Sequence, residues 1–284
     1  MPSRNQPTVR LRRIGSALRK AREANNLTVG AACRRYGRSK SWLSTLENGL
    51  HTVDPQELAD LLDFYNVHDA PLRESLLHLA THNSEEIWRR ARSGNISAAA
   101  SDLASLEEDS ALIRTFQPSV FPGLLQTREY MECIFEIGQA NAVRNTETLI
   151  DFRISRQGVL KQPNPPRYVP LISESVLQHR VGDAPVMHAQ IVHLSEVARL
   201  DHVELRVLPN SAGAHHALAG NFHLLSLKPP GQLTVSVIEQ FNQTLFVEND
   251  QEVTSHQEIF EQLLAQSLDA IQSQELIEQI ASVL

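Results

Sequence analysis

The stretch Arg38-Ser-Lys-Ser-Trp-Leu-Ser-Thr-Leu-Glu-Asn-Gly49 sets short polar and basic side chains at helical spacing, and its chemistry is that of reading base edges. With Ser39 as N-cap, Lys40, Ser44 and Asn48 recur on one face of a short helix, with Ser41 and Thr45 beside them. Leu43, Leu46 and Glu47 fall on the opposite face, toward a core. Base edges in a major groove call for donors and acceptors on short stems, and the flanking phosphates repel carboxylates. A polar face without an acid meets both requirements.

The preceding residues are those that would hold such a helix in place. Leu11, Ile14, Leu18 and Ala21 give Val9 to Asn25 an amphipathic helical period, and Arg10, Arg12, Arg13, Arg19 and Lys20 are expected along its outer side. Thr28 reads as the N-cap of a second helix ending at Tyr36, with Ala32, Cys33 and Tyr36 buried and Gly37 as its C-terminal turn. Gly30, Ala31 and Ala32 are small enough for close helix approach. Asp54-Pro55 opens a fourth helix carrying Leu58, Leu61, Leu62 and Tyr65, and a fifth spans Ala70 to His82.

Residues 10–67 resemble the phage-repressor (Xre/Cro-type) helix-turn-helix family, most specifically through Leu46-Glu47-Asn48-Gly49. The resemblance implies a structural ion pair between Arg22 and Glu47, base contacts from Lys40, Ser41, Ser44 and Thr45, and backbone contacts from Arg38, Ser39 and Asn48. The chain departs from the family at Val29, where a phosphate-binding Gln is common. Charge supports the same end of the molecule. Residues 1–50 hold eleven Lys and Arg against Glu23 and Glu47, a balance of +9, so the formal net charge of −7 leaves −16 for the remainder. A basic head attracts phosphates irrespective of base sequence, and an acidic body resists wrapping by nucleic acid.

At 284 residues the chain has room for a second, larger domain. No apolar run approaches the roughly 20 residues needed to cross a bilayer, and the polar, Arg-rich N-terminus lacks a secretory signal, so a cytoplasmic protein without membrane association is expected. Cys33 and Cys133 are too few for a disulfide framework and read as small buried side chains. Helix is expected to resume at Asp102, followed by a strand around Ile113 to Phe116, a Pro-Gly turn, and helices from Arg128 to Ile137 and Thr146 to Lys161. Strands are expected at Tyr168 to Ser173, Val203 to Leu208, Asn221 to Leu227 and Leu233 to Glu239, with an edge at Thr244 to Glu248. Ala184 to Leu200, Val253 to Ile271 and Gln274 to Val283 read as helices. The expected fold class is α+β: an all-α, five-helix helix-turn-helix domain at 1–82, a connector at 83–101, and an α+β domain at 102–284 with a mixed, mostly antiparallel sheet.

Phe121-Pro-Gly-Leu-Leu-Gln-Thr127 with Tyr130, Arg153-x-x-Arg-Gln157, Ile172-Ser-Glu174, Val186-Met187 with Gln190, Val207-Leu-Pro209 and Gly220-Asn-Phe222 resemble the landmarks of actinobacterial WhiJ-type regulators, in the same order. Ser175, Val176 and His179 depart from that pattern. Membership implies an antitoxin-like transcriptional regulator encoded beside a small acidic protein partner. Leu124 and Gln126 could frame a pocket for a small-molecule effector, or simply pack as a turn. Glu174 and Glu239 could bind a polar group or pair with Arg153 or Arg156, and the internal pairing is expected.

His202, His215, His216 and His223 raise a rival reading, a metal-dependent enzyme, but their spacing matches no familiar site. Glycine-rich phosphate loops, nucleophile elbows and H-E-x-x-H motifs are absent from the sequence. No catalytic residue, metal or cofactor is therefore expected. The function expected is a regulator binding a double-stranded operator as a homodimer, or alternatively a module that captures a protein partner.

Overall fold

Side-chain caps start the helices of the N-terminal region. Thr8, Thr28, Ser39 and Asp54 each stand in extended backbone and accept an amide hydrogen from the first turn, opening α1 (Val9–Ala24), α2 (Val29–Tyr36), α3 (Lys40–Glu47) and α4 (Pro55–Phe64). The same helices end on left-handed residues. Asn26, Gly49 and Asn66 have φ of +54°, +69° and +53°, and the amides after them bond back to Arg22, Thr45 and Leu62. Helix α5 (Ala70–Thr81) completes the bundle, whose core includes Ile14, Leu18, Leu43, Leu46, Leu58, Leu61, Leu62 and Leu76.

The computed structural model describes residues 7–81, 96–138, 146–215, 218, 220–230, 233–240 and 243–284. They fall into two compact units: the described residues of 1–105 with 227–233, and those of 106–226 with 234–284. Helix α6 (Ala98–Glu108) starts four residues before the expected Asp102, because Ser97 caps Ala100 and three alanines follow it. Most of the expected connector, and His82, lie outside the described residues.

The second unit is built on a sheet ordered β3-β2-β1-β4-β5-β6, with β1 (Ser110–Gln117), β2 (Arg167–Ser173), β3 (Arg206–Leu208), β4 (Phe222–Leu227), β5 (Thr234–Glu239) and β6 (Thr244–Val247). It is a mixed sheet in an α+β fold. Strands β1, β2 and β3 pair in parallel, while β4, β5 and β6 pair antiparallel. Strand β1 connects to β2 through a 3-10 turn at Gly123–Leu125, α7 (Arg128–Gly138) and α8 (Thr146–Gln157), and β2 to β3 through α9 (Glu174–Gln178) and α10 (Ala184–Val197). The C-terminal pair is α11 (Asp250–Gln266) and α12 (Ala270–Ala281). On one sheet face Phe116, Val169, Leu171, Leu208, Phe222 and Leu224 pack with Phe260 and Leu263 of α11 into the core.

Several expected boundaries shift for local reasons. Asn249 caps α11 four residues before Val253, and the capping box of Asp269 with Gln272 starts α12 before Gln274, so the Ser267–Asp269 break falls inside the expected helix. Helix α8 gives way at Gly158 to a 3-10 turn through Lys161. Helix α10 ends at Val197 rather than Leu200, and β3 is confined to Arg206–Leu208, Val203 making only an isolated bridge to Tyr168. Cys133 is partly exposed rather than buried.

In the first unit, Asp102 is buried, with its Oδ2 accepting the Val9 amide at 2.9 Å and its Oδ1 without a partner. Burial pushes its pKa from 3.8 up to about 6, against the opposing pull of the Val9 amide and the charges of Arg12 and Arg10. Because the folded pKa lies above the unfolded one, the native state binds this proton more tightly, and the group's contribution to stability is lost as pH rises through about 6. Asp102→Asn keeps an acceptor for Val9 and removes the buried charge. It should raise stability by about 1–2 kcal/mol at about pH 7.5 and by little at about pH 4.5. Denaturation followed by tryptophan fluorescence reads this unit, since Trp42 and Trp88 are both N-terminal; destabilisation at both pH values would contradict the assignment.

Candidate nucleic-acid interface

Helix α3 is held from behind by one ion pair. Arg22 of α1 donates from Nε to Glu47 Oε1 at 2.7 Å and from an Nη to Oε2 at 3.0 Å, with the two residues 7% and 5% exposed. A further Arg22 Nη donates to Leu27 O at 2.7 Å, so the same guanidinium also fixes the turn between α1 and α2. The Glu47 bonds hold the Arg22 pKa above its ordinary value. Backbone contact reinforces the pair. A Cβ on Gly15 would lie 2.6 Å from Leu46 O, and one on Gly49 would lie 2.8 Å from Arg12 N, so α1 meets α3 with no room for a side chain at either position.

The opposite face is open. Arg38, Ser39, Lys40, Ser41, Ser44 and Asn48 are exposed, and Thr45 is half-buried, its hydroxyl donating to Ser41 O at 3.0 Å and Trp42 O at 2.9 Å. Ser39 Oγ is engaged as the cap, accepting the Trp42 amide at 3.1 Å. Asn48 accepts from Arg19 at 2.7 Å and donates to Ser44 O at 2.7 Å, which pins the end of the helix. Arg38 pairs with Glu57 and lies 5.1 Å over the Trp42 ring. Sequence reasoning did not single out Gly15, whose role depends on Leu46, thirty-one residues away, nor the Arg38–Glu57 pair.

Two expectations for this region are corrected. Arg10 is 4% exposed, its guanidinium donating to Ser105 Oγ at 2.7 Å and Ser105 O at 3.0 Å, so it faces inward and does not join the basic surface. Tyr36 is half-buried, not core, and stacks with Trp42 and Phe64 at ring separations of 6.2 and 5.3 Å. Arg19, Lys20, Arg34 and Arg35 are exposed.

A family model described as "Helix-turn-helix domain" matches residues 13–76, the stretch that contains this interface. A second, described as "Domain of unknown function (DUF5753)", matches residues 100–279, more than half of the chain. The chain belongs to the DUF5753 family. No curated protein and no solved structure matches it. The helix-turn-helix domain is the mark of a DNA-binding regulator.

Within the DUF5753 domain, Leu124 and Gln126 are buried in a latched segment. Gln126 donates to Phe121 O at 2.7 Å and accepts from Arg153 at 2.7 Å, while Gln157 and Gln190 hold the carbonyls of Gln126 and Leu125 at 2.7 Å each. The expected pairing of Glu174 and Glu239 with Arg153 or Arg156 is corrected. Glu174 accepts from the Asn210 amide at 2.8 Å, and Glu239 from His223 at 3.0 Å. Arg156 is paired instead with Glu107 of α6 through bonds of 2.9 and 2.7 Å, a partner remote in sequence and closer in space. Among the described residues no group of His, Cys, Asp and Glu could hold a metal ion, and no helix is long and apolar enough to cross a membrane. His216 lies outside the described residues.

Removing one partner of a buried, bidentate pair leaves the other charge stranded. Arg22→Ala should therefore destabilise the helix-turn-helix region by about 3–5 kcal/mol, and Gly15→Ala by about 1–3 kcal/mol through overpacking against backbone. Urea denaturation followed by tryptophan fluorescence measures both; a loss below about 1 kcal/mol for Arg22→Ala would deny the pair its anchoring role.

Proposed function

We propose that this chain is a sequence-specific transcriptional regulator of the Xre/Cro type that binds double-stranded DNA as a homodimer. In this reading residues 1–82 form the DNA-binding domain, 83–101 the connector, and 102–284 the domain that dimerises and senses a small effector or small protein partner. The observation that carries it is the exposed, acid-free face of α3, formed by Lys40, Ser41, Ser44 and half-buried Thr45 in front of the Arg22–Glu47 anchor. Those four side chains reach base edges, and Arg38, Ser39 and Asn48 approach phosphates. Exposed Arg19, Lys20, Arg34 and Arg35 add attraction independent of base sequence. The WhiJ-type subtype rests on the ordered landmarks from Phe121 to Phe222. Two copies would present their recognition helices about one turn of duplex apart, to equivalent half-sites.

Lys40→Ala with Thr45→Ala should abolish preference for a selected operator over random duplex while leaving the circular dichroism spectrum unchanged. An unaltered preference in a gel-shift titration would remove these residues from the interface. Lys20→Ala should weaken binding to operator and random duplex alike and reduce the salt slope by about one. A slope equal to wild type would take Lys20 off the phosphate path.

A further inference from the structure

The sheet face turned away from α11 buries several polar side chains. Opposite the face on which Phe116, Phe222 and Leu224 pack against α11, the same strands carry Thr115 and Gln117 on β1, His223 on β4 and Glu239 on β5. Thr115, Gln117 and His223 are 1%, 4% and 6% exposed, so these polar groups are desolvated where aliphatic side chains would serve folding better. They gather at one place. The Thr115 hydroxyl lies 3.1 Å from His223 Nδ1, and His223 Nε2 lies 3.0 Å from Glu239 Oε2 and 3.5 Å from Gln117 Nε2. With Nε2–H donating to Glu239 and Nδ1 facing the Thr115 hydroxyl, both ring nitrogens of His223 are engaged. The Gln117 amide, at the limit of hydrogen-bond reach from a nitrogen that already donates, is left with its donors available.

Arg153 of α8 is the second unusual group. It gives one bond to Gln126 and lies 4.7 Å from the Phe135 ring, but among the described residues no carboxylate comes within ion-pair reach of it. Burial and then the neighbouring Arg156 charge depress its pKa, while Glu239 acts on it only through space. Its neighbour Arg156, by contrast, is neutralised by Glu107.

The strand order explains why the polar groups of β1 and β4 meet. Connections from β1 to β2 to β3 run to one side of β1, whereas β4 lies on its other side, so the direction of winding reverses between β1 and β4. Gln117 is the last residue of β1, and His223 is the second of β4.

We propose that Arg153, Gln117, His223 and Glu239 form a binding site for a small organic carboxylate that also carries a hydroxyl group. The planar guanidinium of Arg153 takes the carboxylate, with the Phe135 ring as an apolar wall. Glu239, whose side chain is 38% exposed, accepts from the hydroxyl, and the Gln117 amide donates to it. The inference rests on the reading of the second unit as a sensing domain and supplies its ligand class.

Isothermal titration of the full chain without DNA tests it, using glycolate and 4-hydroxybenzoate against their hydroxyl-free counterparts acetate and benzoate. At least one hydroxy acid should bind saturably and about tenfold more tightly than its counterpart. Arg153→Gln should lose at least about tenfold in that affinity, Gln117→Leu should weaken it, and Glu239→Gln should erase the preference for the hydroxyl. Absence of saturable binding by both hydroxy acids up to about 10 mM overturns the site, as does unchanged affinity in Arg153→Gln and Gln117→Leu. Gel shifts of the same variants without probe should match wild type, so failure of this site and failure of the DNA-binding reading are told apart.

Discussion

A single buried ion pair sets the geometry on which the DNA-binding reading depends. Arg22 reaches from α1 to Glu47 on α3 and to Leu27 in the intervening turn, so one guanidinium fixes the pitch of the recognition helix and the path of the chain that leads to it. Desolvating two charges is costly, and an apolar pair of equal volume would hold two helices together at least as well. What the ions add is direction. The fork of the guanidinium and the two oxygens of Glu47 match in only one relative orientation, whereas leucines would tolerate sliding. Gly15 and Gly49 sharpen this, because backbone against backbone leaves α1 and α3 no alternative depth of packing.

The helix-turn-helix was legible because its rules are local. Thr28, Ser39 and Asp54 announce helix starts within three residues of the bonds they accept, and Gly37 sits where left-handed backbone ends α2. Periodicity gave the inward faces of α3 and α4 for the same reason. Arg10 shows the limit: its position on the helix marks it as surface, and only Ser105, ninety-five residues on, turns it inward.

In the second unit the strands were legible and the pairings were not. Alternation identifies β1, β2, β4 and β5, but whether Glu239 meets an arginine or His223 depends on which strands are neighbours, and strand order is not written in any one segment. Glu107 is the clearest case. It lies on a helix that reads as ordinary amphipathic surface, yet it is the buried partner of Arg156. It pairs with Arg156 and not with Arg153, one turn away, which among the described residues has no carboxylate within ion-pair reach.

Charge near the recognition helix is not uniformly favourable to DNA, and the exception is informative. Arg38, assigned to the phosphate backbone, is paired with Glu57, and Asp54, Glu57 and Asp60 line a cleft beside it with Tyr36. An ion pair that is half exposed on the arginine side contributes only about 0–1 kcal/mol, so a phosphate can take Arg38 over at small cost. The carboxylates remain once it has moved. In the proposed complex they oppose the attraction that exposed Arg19, Lys20, Arg34 and Arg35 exert on the duplex. On the proposed DNA-binding reading, the carboxylates beside Arg38 disfavour any docking angle that brings phosphate to Asp54, Glu57 or Asp60.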